Sequence, residues 1–194
     1  SNDNFSKETA LNYLSKMEGE LTRSTRLVRS LLDFARQSPP SLRETDINEV
    51  IKCALELVIS SSPVKNIKIV KEFSPVLPKP MADTDQLQQV FINLILNAIQ
   101  AMPHGGTLYL RTKRENGQVR IDVEDTGCGI SPENIGKLFT PFFTTKKEVK
   151  GVGLGLAVSY GIIQRHHGKI SVKSKEGEGT TFSVCLPVSY AEEN

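Results

Sequence analysis

The chain has 194 residues and a formal net charge of +2, which allows one domain with an appendage and argues against nucleic acid or an anionic membrane as partners. It shows no signal peptide, and no apolar run approaches the roughly 18 residues of a spanning helix. The three cysteines are scattered, and their odd number favours a reduced, cytoplasmic compartment over a disulfide framework or a zinc site.

The first predicted element is a long helix over about Lys7 to Gln37, stopped by Pro39-Pro40. Its apolar stripe recurs at alternating spacings of three and four: Leu14, Met17, Leu21, Ser24, Val28, Leu31 and Ala35. This pattern is typical of a helix that packs against other helices. A core helix of the following domain is the alternative. The chain is predicted to consist of three parts, namely the helix (1–40), a second domain (41–190) and a short tail (191–194).

The second part alternates helices and strands. The predicted helices begin at Asp46 and run to about Ser60, begin at Asp83-Thr84-Asp85 and run through Met102, follow Ser131-Pro132, and span Leu154 to His167 before Gly168. The predicted strands are Ile67 to Phe73, Thr107 to Arg114, Gln118 to Glu124, Lys169 to Ser174 and Thr180 to Leu186, with a turn at Asn116-Gly117. These elements predict an α+β fold, a two-layer sandwich with its helices on one face of a sheet.

The helix that ends at Met102 carries one polar stripe on an otherwise apolar surface, formed by Gln89, Asn93, Asn97 and Gln100. A buried carboxamide without a partner costs a few kcal/mol, so something must satisfy this stripe. A carboxamide oxygen is a suitable ligand for Mg²⁺, which completes its shell with water and phosphate oxygens. Hydrogen bonds to neighbouring backbone are the alternative.

A carboxylate ends the strand that begins at Gln118, in the run Asp125-Thr126-Gly127-Cys128-Gly129-Ile130. Such a carboxylate can accept a hydrogen bond from an exocyclic amine. The glycines let the backbone pass close to a flat ring. An ordinary Asp-x-Gly turn is the alternative.

A glycine-rich turn, Gly151-Val152-Gly153-Leu154-Gly155, opens the helix that ends near His167. Bare N–H groups and a helix N-terminus favour an anion. The spacing fits neither the P-loop nor the dinucleotide fingerprint. A turn that serves packing alone is the alternative.

Between the two glycine-containing runs lies an aromatic segment, residues 139–147. Phe139, Phe142 and Phe143 could anchor it, Thr144 and Thr145 could donate hydroxyls, and Lys146 could meet phosphate as a point charge. A hydrophobic plug with solvated lysines is the alternative.

These four motifs, in this order, resemble the catalytic ATP-binding domain of two-component sensor histidine kinases, within the superfamily shared with type II topoisomerases, mismatch-repair ATPases and heat-shock chaperones. The resemblance implies the same two-layer fold. It implies that Asn97 binds Mg²⁺, that Asp125 accepts from the adenine amino group, and that residues 139–147 form a lid over ATP. Thr180 matches a threonine that helps to hold adenine, although Thr181 is adjacent. The ATP contacts implied are Asp125, Gly127, Gly129, Ile130, Thr144, Thr145, Lys146, Gly151, Gly153, Leu154, Gly155 and Thr180, with Asn93 and Asn97 as catalytic residues.

The resemblance also implies an activity, transfer of the γ-phosphoryl of ATP to a histidine and then to the receiver domain of a response regulator. Hydrolysing relatives usually carry a glutamate where this chain has Asn93, and an amide cannot act as a base at neutral pH. The family's phosphoacceptor run, roughly His-Glu/Asp-x-x-Asn/Thr-Pro, is absent. His104, His166 and His167 are interpreted as structural. The chain is therefore expected to bind Mg-ATP without phosphorylating itself.

In the family, the phosphoacceptor histidine lies on the first helix of a hairpin that dimerises, and the helix at 7–37 looks like the second. The intact protein is thus expected to be a homodimer, with any membrane contact made by regions outside this chain. An ATPase, a degenerate ATP-sensing or dimerisation module, and a serine kinase of the anti-sigma type are the alternatives. The long helix argues against the last. Gln100 stands where some relatives carry a phosphate-contacting lysine.

Overall fold

The computed structural model describes residues 9–19, 21, 25, 39–61, 66–144 and 153–188. The chain divides into two compact units, Ser1–Gln37 and Ser38–Asn194. In the first, residues 9–19 are helical (α1), as are residues 21 and 25. Leu14, Met17 and Leu21 are 60%, 61% and 69% exposed. The rest of the predicted stripe, Ser24, Val28, Leu31 and Ala35, lies outside the described residues.

The second unit contains the helices and strands that the sequence predicts, with most ends shifted by one or two residues. Its helices are α2 (Ile47–Ser61), α3 (Thr84–Ala101), α4 (Pro132–Ile135) and α5 (Gly155–Arg165). Its strands are β1 (Arg43–Glu44), β2 (Ile67–Phe73), β3 (Met81–Ala82), β4 (Gly106–Glu115), β5 (Gln118–Asp125), β6 (Lys169–Lys175) and β7 (Gly179–Pro187). Among the helices of the described ranges, none has the length and apolar character needed to cross a membrane.

Five strands form one mixed sheet in the order β2-β4-β5-β7-β6. The β4–β5 hairpin turns at Asn116 and Gly117, which take positive φ values of 50° and 73°, as a tight two-residue turn requires. The other neighbours of β5 and β7 are antiparallel as well, whereas β2 runs parallel to β4. A parallel pair needs a long crossover, and α3 lies in that connection.

The helices cover one face of this sheet, with α3 at the centre between α2 and α5 and against β5. Its fully buried side chains are Leu87, Val90, Phe91, Leu94 and Ile95. The opposite face of the sheet is charged: Arg111 pairs with Glu72 and Glu124, and Arg120 pairs with Glu115 and Asp122. The prediction of an α+β two-layer sandwich with helices on one face is confirmed.

Aspartates cap the starts of α2 and α3. The Oδ1 atom of Asp46 accepts from the N–H groups of Asn48 and Glu49, and the Oδ1 atom of Asp83 accepts from those of Asp85 and Gln86. Each cap satisfies N–H groups that have no partner inside the helix.

The end of α5 differs from the prediction. The helix stops at Arg165, and His167, rather than Gly168, takes the left-handed conformation, with φ of 51°. Gly168 is needed for a different reason, because a Cβ there would lie 2.6 Å from the carbonyl oxygen of Cys185 on β7. The glycine thus permits close packing of the helix end on the sheet.

His166 is 1% exposed and joins the end of α5 to the start of α3. Its Nε2 accepts from the backbone N–H of Asp83 at 2.9 Å, which leaves Nδ1 to donate to the carbonyl oxygen of Ile162 at 2.8 Å. The imidazole is therefore neutral. These contacts give His166 a structural role, in line with its interpretation from sequence, while His104 and His167 are exposed.

Burial lowers the pKa of His166, because the charged imidazolium is poorly solvated there. In the unfolded chain the imidazole has its ordinary pKa of about 6.5, so the unfolded chain binds a proton at a higher pH than the folded chain does. The free energy of unfolding is expected to decrease below about pH 6.5, by at most about 1.4 kcal/mol per pH unit for one proton. Urea unfolding from pH 7.5 to 5 measures this slope. His166→Gln is expected to reduce this slope, whereas the control His104→Gln, at an exposed histidine, is expected to keep the wild-type slope. Equal slopes in all three proteins would show that His166 is not the cause.

Candidate functional site

Four strands contribute one residue each to a row across the inner face of the sheet. The strand register places Asp125 opposite Leu108 on one side and opposite Thr180 on the other, and Thr180 is opposite Ser174. Directly opposed side chains in antiparallel strands lie about 4.5–5.5 Å apart at Cβ. The row therefore brings a carboxylate and two hydroxyls together at the ends of β5, β7 and β6.

Asp125 is 4% exposed and lacks a cation partner among the interactions of the described residues. Burial raises the pKa of its carboxyl group, while the backbone N–H groups of Gly127 and Thr180 donate to it and act in the opposite direction. The Gly127 bond to Oδ1 measures 2.9 Å. These two donors hold the carboxylate in place. A carboxylate has about four acceptor positions, so capacity remains for an outside donor.

Thr180, rather than Thr181, shares the side of the sheet on which Asp125 lies. Thr180 is 4% exposed, whereas Thr181 pairs with Glu124, whose side chain joins the charged outer face through Arg111. The sequence did not show which of the two neighbouring threonines lies beside Asp125. The strand register shows that it is Thr180.

Ser174 is a residue of this row that the sequence analysis missed as a site residue. Its Oγ lies 2.9 Å from Thr180 Oγ1, accepts from the backbone N–H of Ile130 at 2.8 Å, and donates to the carbonyl oxygen of Gly179 at 2.8 Å. The sequence placed it at the end of a strand, and only the pairing of β6 with β7 shows what it touches.

The loop of residues 126–130 is held by protein backbone on two sides. The N–H of Cys128 donates to the last carbonyl of α3, that of Ala101, at 3.0 Å. A Cβ on Gly127 would lie 2.5 Å from this same oxygen, and a Cβ on Gly129 would lie 2.1 Å from the carbonyl oxygen of Lys175. The glycines were predicted to make room for a flat ring. Close packing of the loop against α3 and the β6–β7 turn already requires them.

Asn93 on α3 binds the first turn of α5. Its Nδ2 donates to the carbonyl oxygen of Gly155 at 3.3 Å and contacts the hydroxyl of Ser159 at 3.4 Å. This is the local hydrogen bonding that the sequence analysis kept as an alternative for the polar stripe. Asn97 lies one turn further along α3 and is half-buried. The two asparagines therefore lie on the helix face that borders the start of α5.

The described part of the aromatic segment, residues 139–144, contacts Gly153, which lies just before α5. Phe142 has a positive φ of 66°, and its N–H donates to the carbonyl oxygen of Gly153 at 2.9 Å. A Cβ on Gly153 would lie 2.5 Å from the backbone carbon of Phe142. This contact holds the aromatic segment against the residues that precede α5, Gly153 and the buried Leu154.

The phenylalanines of this segment differ in burial. Phe139 and Phe143 pack against the core, and the Phe139 ring lies 5.4 Å from that of Tyr160, whereas Phe142 is 60% exposed. Only two of the three act as anchors. Thr144 is exposed, and Thr145, Lys146 and Gly151 lie outside the described residues.

The donor set available for a metal is limited. Within the described ranges, no three or more His, Cys, Asp or Glu side chains are grouped to hold an ion. A carboxamide oxygen such as that of Asn97 suits Mg²⁺ when phosphate oxygens and water supply the other ligands. The residues present therefore fit Mg²⁺ that arrives with a nucleotide.

Residues 82–190, more than half of the chain, match a family described as histidine kinase-, DNA gyrase B- and HSP90-like ATPase. The chain belongs to this ATPase family. The matched range contains α3, the Asp125 loop, the start of α5 and β7. The family resemblance inferred from the four motifs is thereby confirmed.

Relatives of the chain include a sensor histidine kinase and a sporulation kinase. The chain is 38% identical over 178 residues to the sensor histidine kinase ZraS of Escherichia coli (strain K12), which covers 92% of the chain and 38% of ZraS. It is 33% identical over 177 residues to sporulation kinase E of Bacillus subtilis (strain 168), which covers 91% of this chain and 24% of that kinase. The chain thus spans well under half the length of these relatives.

Two solved structures share the fold, and one of them is the histidine kinase ThkA. Full-length ShkA in complex with AMPPNP matches with a TM-score of 0.78 and 29% identity, over 95% of this chain and 39% of ShkA. ThkA in complex with the response regulator protein TrrA matches with a TM-score of 0.77 and 29% identity, over 95% of this chain and 53% of that one.

Proposed function

We propose that residues 41–190 are the ATP-binding catalytic domain of a sensor histidine kinase, that the helix within residues 1–40 belongs to its dimerisation hairpin, and that residues 191–194 are a tail. The domain binds Mg-ATP and transfers the γ-phosphoryl to a histidine on that hairpin. One observation carries this proposal: a buried carboxylate, Asp125, lies at a strand end with acceptor capacity to spare, inside the matched family region. The AMPPNP bound by ShkA supports it.

The adenine end of the pocket consists of Asp125 and Thr180, with the loop of Gly127, Gly129 and Ile130 beside them. The carboxylate accepts from the exocyclic amine of adenine. Guanine presents a carbonyl oxygen at the same position, and two acceptors repel each other. A site built to bind one hydrogen-bonding pattern rejects its opposite strongly, which makes the pocket selective for ATP.

The phosphate end consists of the first turn of α5 and the residues before it: Gly151, Gly153, Leu154 and Gly155. Its N–H groups and the helix N-terminus favour anionic oxygens. The side-chain oxygen of Asn97 would hold Mg²⁺, and the ion would supply positive charge beside the phosphates. Thr144, Thr145 and Lys146 contribute further donors.

Asn93 favours phosphoryl transfer over hydrolysis. Its amide nitrogen donates to Gly155 and contacts Ser159, so it ties α3 to the phosphate end of the pocket. A neutral amide cannot remove a proton from water. Asn93 thus positions the first turn of α5. The nucleophile is a ring nitrogen of the substrate histidine.

The receiving partner is the receiver domain of a response regulator, and the complex of ThkA with TrrA supports this class of partner. The exposed stripe of α1 supports a homodimer through the helical hairpin. A response-regulator partner favours a cytoplasmic location for the domain, with any membrane anchor in other regions of the intact protein.

A phosphate-release assay with Mg-ATP separates this proposal from the ATPase alternative. The chain is expected to release phosphate far more slowly than the roughly 1 s⁻¹ at the low end of enzyme turnover, and no histidine of the chain becomes labelled from γ-labelled ATP. Asp125→Ala is the control, because release that survives this change does not come from the pocket. Sustained turnover that Asp125→Ala abolishes would favour an ATPase.

A further inference from the structure

The hydroxyl of Ser174 has every hydrogen-bonding position in use. A serine hydroxyl has one proton to donate and two lone pairs. The carbonyl oxygen of Gly179 can only accept, so at 2.8 Å it takes the Ser174 proton. The N–H of Ile130 can only donate, so at 2.8 Å it occupies one lone pair. One lone pair is left for the third neighbour, Thr180 Oγ1 at 2.9 Å.

This count fixes the direction of the Ser174–Thr180 hydrogen bond. Since the proton of Ser174 is already used, the hydroxyl of Thr180 must be the donor. Its single proton then points towards Ser174 on β6 and away from Asp125 on β5. The oxygen of Thr180 keeps only lone pairs for any other partner.

The side of the row next to Asp125 therefore presents acceptors alone. The Thr180 hydroxyl, which is directly opposite Asp125, cannot donate to the carboxylate and fill one of its acceptor positions. The N–H groups of Gly127 and Thr180 that hold the carboxylate come from the backbone and stay engaged. A ligand edge that meets this row must bring donors.

We propose that Ser174 is a positioning residue for base specificity: by holding the Thr180 proton, it makes the pocket select 6-amino purines over 6-oxo purines. This inference rests on the proposed ATP site and adds Ser174 to it. Without Ser174, the Thr180 hydroxyl can rotate and donate to the carbonyl oxygen of a 6-oxo purine. If Ser174 had a purely structural role, its replacement would weaken the binding of the two nucleotides equally.

The test compares ATP with inosine triphosphate by calorimetric titration in Mg²⁺. In inosine triphosphate a 6-oxo group and an N1–H replace the 6-amino group and the bare N1 of adenine, and each variant is compared with wild type on the same two nucleotides. Ser174→Ala is expected to bind inosine triphosphate more tightly than wild type does, and to reduce the ATP preference about tenfold, the equivalent of one hydrogen bond. Ser174→Cys, whose sulfur is a weak acceptor, should act in the same direction and replaces the alanine variant if that fails to fold. Ser171→Ala, an exposed serine on the same strand, should keep the wild-type ratio.

A double variant identifies Thr180 as the group through which Ser174 acts. In a Thr180→Val background, Ser174→Ala should leave the ATP-to-inosine ratio unchanged, because no hydroxyl remains to rotate. A folded Ser174 variant with the wild-type ratio, or equal losses for both nucleotides, would overturn the inference while the ATP site stands. A wild-type chain that binds neither nucleotide would refute the proposed function, and the inference with it.

Discussion

Asp125→Asn is expected to weaken ATP binding by about 100-fold without lowering the stability of the nucleotide-free chain. The new side chain has the same shape but can direct an N–H₂ group at the adenine amine, so two donors face each other. Loss of a hydrogen bond to a charged group costs roughly 1.5–3 kcal/mol, and 2.7 kcal/mol is about 100-fold in affinity.

The stability half of this prediction follows from the raised pKa of Asp125. Burial makes ionisation of this carboxyl harder in the folded chain than in the unfolded chain. The charge therefore reduces stability once the pH is above the unfolded pKa, and the neutral asparagine removes that cost. Binding and function, more than folding, account for the presence of an aspartate here.

Calorimetry and urea unfolding on the same samples check both halves. Asp122→Asn is the matched control, because Asp122 lies on the same strand but contacts Arg120 on the outer face. This control is expected to bind ATP as wild type does. An Asp125→Asn chain that binds ATP within about threefold of wild type would contradict the adenine role of the carboxylate; affinity loss with equal loss of stability would indicate a structural role instead.

Gly179→Ala is expected to lower the free energy of unfolding by about 4 kcal/mol or more. Gly179 has a φ of 119°, and a Cβ there would lie 2.0 Å from the carbonyl oxygen of Asp125. Neither atom can move without separating β7 from β5. The same separation would displace Asp125, so ATP affinity is expected to fall as well under conditions where the variant stays folded.

Gly177→Ala provides the matched control two residues earlier in the same turn. Its φ is also positive, at 80°, but no atom lies within 4 Å of the added carbon. Only the backbone penalty of about 1–2 kcal/mol is expected. Urea unfolding measures both variants, and similar losses at positions 177 and 179 would show that backbone conformation, rather than contact with β5, makes Gly179 necessary.

Local chemistry explains why much of the fold was predictable. The caps at Asp46 and Asp83 and the turn at Asn116-Gly117 depend on residues within a few positions of one another, and each was found where the sequence placed it. The long β4 and β5 strands alternate in burial, so their pattern is visible along the chain. Asp125 was recognisable because it follows such a strand and precedes two glycines.

The features that sequence did not predict depend on contacts between distant segments. Ser174 matters because β6 pairs with β7, and no spacing in the sequence encodes the three groups that bind its hydroxyl. β1 and β3 have two residues each, and their paired residues are 37 and 39 positions apart in sequence, so they carry no periodicity. The packing roles of Gly127 and Gly129 likewise depend on Ala101 and Lys175.

Calorimetric titration of the wild-type chain shows whether it has one adenine-selective, magnesium-dependent ATP site. ATP and GTP are each titrated with and without Mg²⁺, and Asn97→Ala is titrated beside wild type. We expect one ATP per chain, little or no binding of GTP, and an effect of Mg²⁺ on ATP affinity that Asn97→Ala loses. Absence of ATP binding, or equal binding of ATP and GTP, would contradict this expectation.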